Sequence, residues 1–64
     1  MDSKRAHELI GAPVEVTSGC FKGMTGYLRK VKVGEEGGIR LVIRNYLGRY
    51  MNVYPAHVQL SEAL

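Results

Sequence analysis

The sequence predicts an all-β domain, a small barrel of five short strands, and three observations lead there. Apolar and polar residues alternate at a two-residue period in short runs, most clearly in Val14-Glu15-Val16-Thr17 and from Ile39 to Arg44. Glycine-rich breaks at Ser18-Gly19, Gly34 to Gly38 and Gly48 separate the runs. The chain has 64 residues and one cysteine, so a single small core must form without an internal disulfide. Closing strand-rich chains of this size into a barrel removes exposed edges.

The elements follow in chain order. Residues 1–9 are polar and charged and read as a tail or linker remnant, residues 10–61 as the barrel, and residues 62–64 as a frayed C-terminus. Within the tail, Ser3 can cap a single helical turn through Glu8, with Gly11 ending it and Leu9 and Ile10 docking it over the end of the barrel. The first strand is expected from Val14 to Ser18, with Val14 and Val16 inward and Glu15 and Thr17 outward. The second runs from about Gly26 to Val33. Leu28 faces in, and Val31 and Val33 continue on that side only if a bulge sits at Lys30, a bend that small barrels need. Ile39 to Tyr46 is the third strand, presenting Ile39, Leu41 and Ile43 on one face and Arg40, Val42 and Arg44 on the other. Asn45 to Arg49 turns the chain, and the fourth strand, Tyr50 to Tyr54, points Met51 and Val53 inward. Pro55-Ala56-His57 suits a short 3₁₀ turn, and Val58 to Leu60 completes the sheet. Four strands, a short turn and a fifth strand is the order of an SH3-like barrel.

Composition narrows the function. The net charge of +3 favours polyanions mildly, well short of a dense basic stripe. The apolar runs are far shorter than the ~20 residues that cross a bilayer, and the start lacks the apolar region of a signal peptide, so no membrane role is expected. A lone thiol, Cys20, fits a reducing cytoplasm. His57 and His7 stand at no motif spacing from the thiol or a carboxylate, and no cluster of cysteines and histidines offers a metal site. The glycines from Gly19 to Gly26 connect two strands and do not open a helix that cradles phosphate. An enzyme is not expected, nor a cofactor.

Surfaces remain. Phe21 lies in a loop between glycines with Met24 near it, and Tyr46, Leu47 and Arg49 occupy the opposite turn. If the two loops are neighbours, Phe21, Met24, Tyr46, Leu47 and Arg49 form one patch with the composition of a protein-binding site. Loop aromatics in small barrels also fold back to cap an open end. A second surface is available to RNA: Lys22, Arg29, Lys30, Lys32, Arg40 and Arg44 can meet phosphates, and Tyr27, Tyr50 and Tyr54 can stack on bases if they line one exposed face. Scattered strand cations also serve solubility and edge protection, and strand tyrosines cross-strand packing.

The stretch PVEVTSGCFKGMTGYLRKV resembles a KOW motif, the strand-loop-strand element of NusG-type transcription elongation factors and certain ribosomal proteins. Further on, IRNYLGRYMNVYPAHVQL resembles the second half of the NusG carboxy-terminal domain, so the resemblance spans roughly Ile10 to Leu60. It implies a KOW-type SH3-like barrel that acts in transcription elongation or antitermination without catalysis. In NusG-like tails the glycine-loop aromatic and a hydrophobic-Gly-Arg corner dock a small-subunit ribosomal protein also used in antitermination or, in some members, termination factor Rho. Phe21 matches that aromatic, Met24 the apolar residue three further on, and Leu47-Gly48-Arg49 the corner. The resemblance also implies contact with RNA polymerase through an amino-terminal domain that is not in this chain, with the barrel recruiting the partner through a linker at high effective concentration. Two departures stand out. Leu47, preceded by Tyr46, replaces the usual corner aromatic, and the segment from Gly48 to Val58 is shorter, closer to specialised NusG paralogues that act as operon-specific antiterminators. Ribosomal KOW proteins instead contact RNA, which is the alternative function.

Overall fold

A computed structural model describes residues 1–61; the expected frayed C-terminus, 62–64, lies outside the described residues. Five strands, β1 (Pro13–Val16), β2 (Thr25–Val33), β3 (Ile39–Arg44), β4 (Tyr50–Val53) and β5 (Val58–Leu60), form one antiparallel sheet in the order β4-β3-β2-β1-β5. A 3₁₀ turn, Pro55–His57, joins β4 to β5, as the proline and its short flanking sequence lead one to expect. The outer strands β4 and β5 do not pair with each other, so the sheet is not closed.

Alternation sorts the faces. Val14, Val16, Leu28, Leu41, Ile43, Met51, Val53 and Val58 are buried in one cluster drawn from all five strands, while the residues between them point outward. Burying that many aliphatic side chains at roughly 1.5–3 kcal/mol each is what offsets the ordering of so short a chain.

The strand β2 carries the expected irregularity, one residue earlier than the sequence suggests. Leu28 pairs with Ile43 and Lys30 with Val42, which leaves Arg29 as the extra residue. The bulge changes the parity of the strand, so Leu28, Val31 and Val33 all share the face of Ile43, Leu41 and Ile39. Val33 nonetheless lies beyond the core and is exposed.

The amino-terminal residues differ most from their reading as a tail. Ser3–Glu8 is an α-helix, α1, capped by Asp2 and not by Ser3: the Asp2 Oδ1 accepts the Arg5 N–H at 2.7 Å. Six residues do not hold a helix alone in water. Ala6 supplies the anchor, being fully buried in the common core, with Leu9 packed against the same cluster. The Gly11 N–H then donates to the Leu28 carbonyl at 2.7 Å and the Leu28 N–H to the Ala12 carbonyl at 3.0 Å, leading the chain directly into the β1–β2 ladder. No helix among the described residues is long and apolar enough to cross a membrane.

Candidate nucleic-acid interface

The outward face of β2, β3 and β4 can be built row by row from the register. Tyr27 pairs with Arg44 and Arg44 with Tyr50; Lys30 pairs with Val42 and Val42 with Asn52; Lys32 pairs with Arg40. Directly paired residues share a face, and each of these stands opposite in parity to the buried set. Arg29, the bulge residue beside Lys30, is exposed as well. Tyr54, just past β4, closes the last row, with the Arg40 guanidinium carbon 3.9 Å from the centre of its ring. One face thus gathers Arg29, Lys30, Lys32, Arg40 and Arg44, five of the nine Lys and Arg residues of the chain, with Tyr27, Tyr50 and Tyr54 among them. None of the three strands contains an aspartate or glutamate.

That arrangement is costly as a solvated surface alone, because like charges directly opposite one another, as Lys32 and Arg40 are, destabilise a sheet. Arg40 relieves part of the repulsion by turning to Tyr54, donating to its hydroxyl at 3.1 Å. Lys22 stands apart from this group, exposed in the β1–β2 loop.

The two loops of the expected protein-binding patch lie at the same end of the sheet, since Thr25 and Arg44 end their strands there. Their side chains go different ways. Phe21 is half-buried against the core and lines a groove with Cys20, Asn52, Val53, Tyr54 and His57, the fold-back position open to a loop aromatic. The loop is held by Gly23 N–H to the Val16 carbonyl at 2.8 Å and Thr17 N–H to the His57 carbonyl at 2.7 Å. Met24 is partly exposed beside it. Tyr46 and Leu47, by contrast, are 89% and 65% exposed at the tip of the β3–β4 turn, with Arg49 exposed behind them.

That turn has a fixed shape, and its organiser is a residue the sequence reading passed over. Asn45 is buried, and its Oδ1 accepts the N–H groups of Leu47 and Arg49, both at 3.0 Å. Its own backbone pairs with Arg49 and Gly48. The available signal was an asparagine three residues before a turn glycine, the pattern of a side chain that bonds the backbone just ahead of it. Gly48 has a φ of +80°, and a Cβ there would stand 3.3 Å from Arg44 Nη2, so glycine both permits the turn and lets the Arg44 guanidinium lie across it. Gly26 serves a close approach instead: a Cβ would fall 2.5 Å from the Arg44 carbonyl oxygen.

Tyr27 and Tyr46 each border two hollows, one shared with Arg29 and Arg44 and one with Pro13 and Thr25. Among the described residues, no three His, Cys, Asp or Glu side chains converge as a metal site would require. Comparison with protein-family models, with curated proteins and with solved structures returned no match.

Proposed function

We propose that this chain is a non-enzymatic RNA-binding module of the KOW type, folded as an SH3-like barrel, that holds RNA against the outward face of β2, β3 and β4. The observation that carries the reading is the gathering of five cations and three exposed tyrosines on one carboxylate-free sheet face. Cations at sheet spacing meet phosphates, and tyrosine rings between them offer stacking to unpaired bases. The strand order, with a 3₁₀ turn between the two outer strands, supports the barrel, and the KOW-like stretch from Pro13 to Val31 supports the RNA reading through its likeness to ribosomal proteins.

The test is the binding of a labelled single-stranded RNA followed by fluorescence anisotropy across a series of salt concentrations. Each phosphate contact contributes about 0.7 to the slope of log affinity against log salt for single strands, so the double charge reversal Lys30→Glu and Lys32→Glu is expected to flatten it by about 1.4. Both residues are exposed, so the fold survives the change. A slope that does not move, or RNA that does not bind, sinks the proposal.

A second reading is recruitment in transcription elongation or antitermination, as the NusG resemblance implies, and the exposed Tyr46-Leu47 tip on its asparagine-clamped turn favours it. A rigidly presented apolar pair with an arginine beside it suits a protein partner. Binding of the small-subunit ribosomal protein or Rho, lost on Leu47→Asp and only weakly dependent on salt, is the outcome it requires.

A further inference from the structure

The rows of the outward face are not equivalent. At one end, Lys32 and Arg40 share a depression with Glu35 and Glu36 of the β2–β3 loop, so anions arriving there meet both signs of charge. At the other, Gly11, Tyr27, Arg29, Arg44, Tyr46 and Gly48 surround a hollow of about 470 Å³ that no carboxylate lines. Its size falls in the range of small-ligand sites, roughly 300–1,000 Å³. The one outward carboxylate on the adjoining β1, Glu15, accepts the Gln59 side-chain N–H at 3.3 Å on the side away from β2.

The tyrosines differ in the same direction. Tyr54 has the Arg40 guanidinium over its face, and Arg44 lies 6.0 Å from the centre of the Tyr50 ring. Tyr27 and Tyr46 stand 50% and 89% exposed with no guanidinium over either ring. Two open rings, two guanidinium groups and two glycines at the rim make a place where a flat aromatic group and an anion fit together. The bulge supplies Arg29, and the glycine turn holds Arg44 in place.

We infer that this hollow binds one unpaired nucleotide of a single-stranded nucleic acid, its base on Tyr27 and Tyr46 and its phosphate on Arg29 and Arg44. The inference rests on the RNA-binding reading and adds to it a place and a preference. Bases within a duplex are stacked on each other and cannot reach the rings, so single strands bind and duplexes do not.

The experiment uses the whole chain with three fluorescent probes: a uridine-rich RNA strand, a DNA strand of equal length, and an RNA duplex. Tyr46→Ala and Tyr27→Leu are each expected to weaken single-strand binding about 5- to 160-fold, the effect of losing one stacked base, with the salt slope unchanged. Arg29→Gln is expected to lower the slope by about 0.7. Tyr46 is at an exposed tip and Leu is at home in a strand, so both variants remain folded, as circular dichroism will verify. Tighter binding of the RNA or the DNA strand assigns the ligand to that source, and either supports the hollow. Unaltered affinity in both tyrosine variants, with Lys30 and Lys32 still required, overturns the hollow and leaves the RNA-binding reading standing. Equal binding of the duplex overturns the preference for unpaired bases, and absence of binding to all three overturns the hollow and the function together.

Discussion

Arg40 and Tyr54 form a closed pair across the outer face: the guanidinium carbon sits 3.9 Å from the ring centre while one Nη donates to the hydroxyl at 3.1 Å. The contact gives Arg40 a partner of the kind that its neighbour Lys32 cannot be. It also covers one face of the Tyr54 ring, which leaves Arg40 and Tyr54 less open to a ligand than the other cations and rings of that face.

A double-mutant cycle between Arg40→Ala and Tyr54→Ala, read by urea unfolding, should therefore show a coupling of about 0.5–1 kcal/mol, the range of partly exposed cation–π pairs. Strict additivity would mean that the contact contributes nothing.

Gly26 sits where the end of β3 lies tight against β2. Gly26→Ala places a methyl group 2.5 Å from the Arg44 carbonyl oxygen and 2.8 Å from Ile43 Cγ2, and the backbone cannot yield as a flexible side chain would. A loss of about 1–3 kcal/mol is expected, with amide shifts spreading to Ile43 and Arg44. Gly37→Ala is the control: its φ is +79° but its surroundings are open, so its smaller cost, about 1–2 kcal/mol, stays within the β2–β3 loop. A neutral Gly26→Ala would show that the strands can move apart.

Asn45→Ala leaves the N–H groups of Leu47 and Arg49 without their acceptor. Destabilisation of about 1–3 kcal/mol is expected, together with faster hydrogen exchange at those two amides. Asn45→Asp keeps the acceptor oxygen and should behave close to the parent. Equal exchange rates in all three proteins would remove Asn45 from its role.

Ala6 decides whether the first residues belong to the fold. Since it is completely buried, Ala6→Leu is expected to cost about 1–3 kcal/mol through overpacking, whereas Lys4→Ala on the exposed side of the same helix should lie within about 0.5 kcal/mol of the parent. A tail would tolerate both.

Most of the strand plan was legible in the residues because a two-residue period is a local signal. Val14 and Val16, Leu41 and Ile43, and Met51 and Val53 are buried as their alternation requires, and Pro55 to His57 forms the short turn that proline favours. The turn at Tyr46 and Leu47 was readable in the same way, but their exposure was not, since a turn residue can also fold back over the end of the sheet as Phe21 does. The site was less legible. Side chains in separate strands become neighbours only through register: the β2–β3 loop sets Lys32 opposite Arg40, and the β2 bulge beyond them decides that Tyr27 meets Arg44.

The sequence by itself determined the alternation of the strands, the positions of the turns and the identity of the charges, because each depends on residues within a few places of one another. Only the tertiary structure decided that the amino-terminal helix docks through Ala6, that Phe21 turns in toward Val53 and His57, and that Arg29 is the bulged residue. It likewise brought Tyr27, Arg29, Arg44 and Tyr46 around one hollow. These outcomes turn on which distant surfaces bury each other best and on which carbonyl each N–H finds across the sheet, free energies that belong to pairs of segments and to neither segment alone.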